Sequence, residues 1–369
     1  MLRPMNHLLR LSVLSWTLLA AAANAAPADA EAVKASLKSA MEKWSLTVRT
    51  ATTPEARAKA TSDRPDPAVY GRKMWAVIAP ALGEEWVLDP LAWFVGLTAN
   101  LRTILPDGSN SLTFEKEMTT LQAAIETYHM KHAKLAPVCL ALSAADDPRA
   151  LALLEKIQAS HALKAVQGVA ALAIAMRLKT LGDDPALMSK RINLLRKAII
   201  ESADVVVNGV TVAKLAEDEL YIIIHLAKGR VAPDLVGTDS GMRPLKLADF
   251  KGKVVVLLFW NSGMDEAARV LQMTTALEKT FAGKTFALIG VNNDPVENLR
   301  EMQKQPDLVT FPNFSDPQNR LANEYRIGSW PLVYVLDGDR KIAYAGPPGS
   351  FVELTAAALL NPTKPAPGK

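Results

Sequence analysis

The spacing of apolar side chains divides the chain into two regimes. Over residues 30–227 they recur at intervals of three and four, the period of an amphipathic helix. Val33, Leu37, Ala40, Met41 and Trp44 form one such face. Arg64 to Pro67 is a polar, proline-bearing break, Tyr70 to Ile104 is rich in aromatic residues, and Phe114 to Ala136 predicts a further helix that Pro137 interrupts. Asp146-Asp147-Pro148 and Asp183-Asp184-Pro185 each place a capping acid before a proline in the first turn. They predict helices over 149–160 and 186–201, with an Ala-rich apolar helix, 162–179, between them. The two signals are 37 residues apart, so this region is either a short helical-repeat array or an irregular bundle.

After His225 the period changes. Val254 to Trp260 is an unbroken apolar run, as in a central strand buried on both faces. The pattern beyond predicts a helix from Met264 to Phe281, a strand from Thr285 to Val291, and helices over 295–303 and 317–325. A hairpin follows, with strands 331–336 and 341–344 about an Asp337-Gly338-Asp339 turn, and then a helix over 350–360. Short strand-like pieces around Leu235 and Leu245 to Leu247 precede this series. The expected fold class is therefore an N-terminal all-helical region followed by an α/β domain with a central mixed sheet flanked by helices.

The termini read differently. Arg3 and Arg10 bound a short charged region that precedes an apolar run from Leu11 to Ala23, followed by Ala23-Asn24-Ala25, the layout of a secretory leader. The expected organisation is a signal peptide over 1–25, a helical domain over 26–227, the α/β domain over 228–361 and a disordered tail over 362–369. The protein is then periplasmic or secreted, with no stable membrane span once the leader is removed. The chain has 42 Lys and Arg against 38 Asp and Glu, and loss of the leader leaves 40 against 38, a charge of +2. No dense basic stretch points to nucleic acid. One cysteine, Cys139, excludes an intramolecular disulfide and a cysteine-rich metal site.

Few groups carry candidate chemistry. Glu126, His129 and His132 are spaced for one helix face and are read as a solvated face rather than a metal site, because no full ligand set accompanies them. Cys139 lies in Val138-Cys139-Leu140-Ala141-Leu142, without the His or Arg that would stabilise a thiolate, and is read as a buried inert thiol. No cofactor or metal is expected.

Residues 229–360 resemble the thioredoxin-like redoxin family, in particular its secreted bacterial thiol–disulfide branch. The matching pieces are Val231-Ala232-Pro233-Asp234, Leu247 to Val255, Phe259-Trp260, Gly290-Val291-Asn292 and Gly328-Ser329-Trp330-Pro331. The resemblance implies a thioredoxin-like fold, with Pro331 as the family's cis-proline facing the start of the 264 helix. Read without it, Pro331 is equally an ordinary trans proline at a strand start. The resemblance also implies a Trp-Cys-x-x-Cys motif where strand meets helix. Here that segment is Gly263-Met264-Asp265-Glu266-Ala267, with Met264 at the nucleophilic cysteine and Ala267 at the resolving one. Gly263 replaces the motif's aromatic, and Trp330 stands before Pro331 where relatives that bind unfolded chains carry a smaller residue.

Disulfide exchange requires a thiolate, and neither motif position offers one. The expected function is a redox-inactive, exported thioredoxin-like protein that binds or scaffolds an unidentified protein partner. Its expected binding residues are Trp260, Gly263, Met264, Asp265, Trp330 and Pro331. The alternative is the thiol–disulfide oxidoreductase or antioxidant redoxin that the resemblance implies. A different enzyme built on Asn261, Ser262, Asp265 and Glu266 lacks a nucleophile–base pair.

Overall fold

In a computed structural model of the protein, the described residues are 8–361 except 52, 183, 265 and 307. The expected tail falls outside them, as do the first seven residues of the expected leader. The chain divides into two compact units, Met1–Glu217 and Asp218–Lys369, and the division falls inside the helix Val212–Tyr221.

The first unit is built from helices. Helix Lys164–Leu178 is apolar on nearly every side and is buried along almost its whole length. It packs against Pro148–Ser160 and Pro185–Ser202. Its Gly168 permits the closest approach: a Cβ there would meet Ser202 Oγ at 2.4 Å. The two capping signals act as their composition dictates. Asp147 Oδ1 accepts the Arg149 N–H at 2.9 Å, and Asp184 Oδ1 accepts those of Ala186 and Leu187 at 3.1 and 3.0 Å. Two short hairpins are set among the helices, Arg102–Ile104 with Asn110–Leu112 and Val206–Val207 with Val210–Thr211. The expected 114–136 helix is shorter: Glu115–Ala124 runs into a wide turn at Ile125–His129 and stops. Among the described residues no helix is long and apolar enough to cross a membrane.

The second unit is organised on a five-stranded sheet. Its strands are β1 (Val254–Trp260), β2 (Phe286–Asn292), β3 (Asn313–Ser315), β4 (Leu332–Leu336) and β5 (Ile342–Gly346). Their spatial order is β5-β4-β1-β2-β3. β1 pairs parallel with β2 and β2 with β3, whereas β4 runs antiparallel to both β1 and β5. The helices are α1 (Ala267–Thr280), α2 (Val296–Lys304), α3 (Arg320–Glu324) and α4 (Ser350–Leu360). β1 is central, and all seven of its residues are buried. Its odd positions Val255, Leu257 and Phe259 join a core with Leu235, Phe314, Tyr325 and Tyr334. Its even positions Val254, Val256, Leu258 and Trp260 join a second core under α1, α2 and α4. This alternation is the period-two geometry of a strand with a core on each face.

Two differences from the sequence reading bear on the site. The pattern misses β3, a three-residue edge strand of Asn, Phe and Ser too short to show alternation. It also starts α1 at Met264, whereas the helix begins at Ala267. The chain from Ser262 to Met264 is instead held in turns by side chains described next.

Candidate functional site at the end of the central strand

Leu332, the first residue of β4, pairs with Phe259, so the chain leaving β1 and the chain entering β4 meet at one end of the sheet. Asn261 to Met264 and Ser329 to Pro331 are thereby neighbours, although some 65 positions separate them in sequence. The Trp330–Pro331 peptide bond is cis.

The loop after β1 is fixed from beneath. Ser262 gives its backbone N–H to Asp294 Oδ2 at 2.8 Å and its hydroxyl to Asp294 Oδ1 at 2.9 Å. Asn292 Nδ2 donates to the same carboxylate at 2.9 Å, and Asn292 Oδ1 accepts the Asp294 N–H at 3.0 Å. Asn292, directly opposite Trp260 in the β1–β2 register, and Asp294 are both buried. Their polar atoms therefore need these partners. Gly263 N–H donates to Asn261 Oδ1 at 3.0 Å, and Ala267 N–H to the Met264 carbonyl at 3.1 Å. The Ser262 and Gly263 bonds stop α1 from starting sooner.

Met264 is half-buried against the core beneath α1, whereas Trp330 is half-buried against the opposite core, its ring edge-on to Phe259 at 6.3 Å. Gly263 is exposed, and Ala267 and Pro331 are partly exposed. Glu266 is exposed and reaches Arg269 at 3.8 Å. Asp265 lies outside the described residues. Trp260 is placed differently from the other expected binding residues. It is fully buried, and its Nε1–H donates to Asn313 Oδ1 at 2.8 Å. Its ring belongs to the sheet's interior rather than to a surface a ligand can reach. Gly290 makes room for that bond, since a Cβ there would come within 1.7 Å of Asn313 Oδ1.

The chemistry available at this end of the sheet is limited. A thioether has no proton to lose and a methyl group has no sulfur, so positions 264 and 267 hold neither a nucleophile nor a resolving thiol. Nearby, Tyr325 and Tyr334 have their phenols pushed up by burial, and Tyr325 donates to the Pro233 carbonyl at 2.6 Å. Both stay protonated in the core, where the Tyr334 ring packs edge-on to those of Phe259 and Tyr325. The lone thiol, Cys139, belongs to the first unit, in the helix Ala136–Ser143. It is completely buried, and burial pushes it up to about 12. The His129 group disperses. His129 is buried against the Leu82 carbonyl at 2.7 Å, Glu126 meets Lys156 at 3.3 Å, and His132 meets Glu85 at 3.3 Å. The expected solvated face is thus only partly solvated, because His129 turns inward at the wide turn.

The sequence reading missed Asp294 and Asn313. Asn292-Asn293-Asp294 directly after an apolar strand was a usable signal, because polar residues there must face either solvent or each other. Nothing in the sequence pattern marked Asn313, since its strand was not visible.

A central β1 between two cores, a β4 entered through a cis-proline and a helix beginning beside it together define a thioredoxin-like domain. Residues 228–345 match the AhpC/TSA family. The chain is similar to thiol-disulfide oxidoreductase ResA of Geobacillus thermodenitrificans, with 29% identity over 118 residues, 32% of this chain and 67% of that protein. It is likewise similar to the ResA of a Bacillus cereus strain, with 29% identity over 115 residues, 31% of this chain and 66% of that protein. Among solved structures, it is similar to the thioredoxin domain of a thiol-disulfide oxidoreductase from Bacteroides vulgatus. That match has 26% identity, covers 37% of this chain and 99% of the other, and has a TM-score of 0.34. The similarity to these relatives thus lies in the C-terminal part of the chain.

Proposed function

We propose that this is an exported thioredoxin-like protein whose C-terminal domain performs no dithiol exchange and instead binds a protein partner or serves as a scaffold. The observation that carries the reading is the occupancy of the strand–helix junction. Met264 and Ala267 stand where the family resemblance places the two cysteines, while the sheet, the cis Trp330–Pro331 bond and the loop before α1 are intact. A scaffold kept without its nucleophile retains the shape that receives a polypeptide and lacks the step that would cleave a disulfide. Gly263, Met264, Trp330 and Pro331 offer a partly exposed, mostly apolar surface suited to that role, and Asp265 adjoins it in sequence. The leader-like N-terminus supports a periplasmic or secreted location.

Reduction of insulin disulfides in the presence of dithiothreitol tests the reading. The full chain is expected to leave the rate at that of dithiothreitol alone. Acceleration that disappears in Cys139→Ser would overturn it in favour of the oxidoreductase activity that the names of the relatives carry.

A further inference from the structure

We propose that the C-terminal unit carries a docking surface for a bilayer with anionic headgroups, at the end of its sheet opposite the candidate site. This does not rest on the redox reading above. Between residues 218 and 361 the sequence holds 15 Lys and Arg against 17 Asp and Glu, a net charge of −2. The composition of the unit therefore gives no reason to expect a basic face.

The fold gathers one. β1 and β2 begin at this end, β4 finishes there and β5 starts there, as the pairs Val254–Phe286, Leu336–Val255 and Leu336–Ile342 establish. Lys251 and Lys253 lead into β1, Lys284 leads into β2, Lys279 lies in the last turn of α1 and Lys341 precedes β5. Lys228 and Arg230 are drawn in by the backbone: Gly229 N–H donates to the Ile342 carbonyl at 2.7 Å, and Ile342 N–H to the Arg230 carbonyl at 2.8 Å. Gly252 N–H ties the β1 entry to the Gly338 carbonyl of the β4–β5 turn at 2.9 Å.

All seven basic side chains are exposed, and none is in an ion pair among the described residues. Several acids share this end: Glu278, beside Lys279 in the last turn of α1, accepts the Thr310 hydroxyl, and Glu301 pairs with Lys304 at 2.7 Å near the end of α2. Asp234 pairs with Arg340 at 3.1 Å, and Asp337 accepts the backbone N–H groups of Asp339 and Lys341. Asp249 and Asp339 are exposed. The other end of the sheet carries exposed Glu297 and Glu353, and Glu266 paired with Arg269 at 3.8 Å. An anionic surface bound to the seven exposed basic side chains would leave the candidate site, at the opposite end of the strands, facing away.

The residue types select the partner. Six of the seven are Lys and one is Arg. Protein interfaces are enriched in Arg and depleted in Lys, because the guanidinium fork rewards fixed geometry and an ammonium does not. A diffuse sheet of headgroups needs no fixed geometry, and each Lys near it contributes separately. Val231, 53% exposed and next to Arg230, supplies an apolar contact. The nearby rings are unsuited to stacking nucleic-acid bases, since Phe250 is half-buried beneath Lys253 and Phe281 is buried beneath Lys284.

The test is co-sedimentation of the full chain with phosphatidylcholine vesicles, pure or with about a third phosphatidylglycerol, at low and high salt. Binding is expected to the mixed vesicles only, and to be lost at high salt. Lys251→Gln with Lys253→Gln and Lys284→Gln is expected to weaken it on the order of a hundredfold, from about 1 kcal/mol per Lys and 1.4 kcal/mol per tenfold. Equal binding to pure phosphatidylcholine, or unchanged binding by the triple variant with an unchanged melting curve, would overturn the proposal. Failure to bind mixed vesicles while polyglutamate is retained would overturn it too and assign the patch to an acidic protein.

Discussion

The two units divide between them what a thiol enzyme combines. The first has the thiol without the setting: Cys139 is sealed in an apolar helix, and burial pushes it up to about 12. The second has the setting without the thiol: Met264 and Ala267 sit at a helix start beside a cis-proline. The contrast teaches that a cysteine and a redoxin-like fold are separate requirements for thiol chemistry. Reactivity needs a thiolate at an accessible, polar place.

The largest expected effect comes from moving sulfur into the second unit. Met264→Cys with Ala267→Cys places two thiols three residues apart, across the turn closed by the Ala267 N–H to Met264 carbonyl bond. That spacing lies within the roughly 7 Å Cα separation a disulfide tolerates. The variant is expected to titrate as a two-electron couple between about −120 and −270 mV and to accelerate insulin reduction. Two thiols that never bridge would mean that the junction is misassigned.

Next in size is Gly290→Ala. A methyl group within 1.7 Å of Asn313 Oδ1 forces apart the Trp260–Asn313 bond inside the sheet. Denaturant unfolding should register a loss of about 4 kcal/mol in the second unit, and little change in the first.

The first unit is best probed with alkali. Unfolded, the Cys139 thiol ionises near its ordinary 9.0; folded, it keeps its proton to about 12. The contribution is therefore present in full below pH 9 and lost as pH rises through 12, because the unfolded chain binds fewer protons in that window. Between pH 8 and 11 the first unit should lose about 3 kcal/mol by this route, from 1.36 kcal/mol per pKa unit. A Cys139→Ala chain should lack that component of the slope. In the same contrast, a thiol-specific reagent should leave Cys139 untouched at pH 8 until the protein is unfolded.

The smallest effect is the most local. Asp294→Ala removes both bonds to Ser262 and should cost about 2 kcal/mol. Amide exchange at Ser262 and Gly263 should rise, with exchange in β1 unchanged. Equal protection in the variant would show that the loop is held by something else.

Much of the second unit was legible in the sequence because its strands advertise themselves. Seven apolar residues in β1 have only one comfortable environment, and the Asp337-Gly338-Asp339 turn fixes the hairpin beside it. The site was legible only through resemblance, since its two halves meet through the β1–β4 register. What stayed hidden was short or polar. β3 has three residues, and Asp294 acts through tertiary bonds that no local period records. The basic end was hidden for a different reason: its lysines lie in separate segments, and only the shared strand ends collect them.

The tie between Ser262 and Asp294 has a consequence for any partner that settles on Met264. The loop's conformational entropy has already been surrendered when the chain folds, so association need not order it again. On the binding reading proposed above, a surface whose Ser262 is held in this way would discriminate by shape and change little on association.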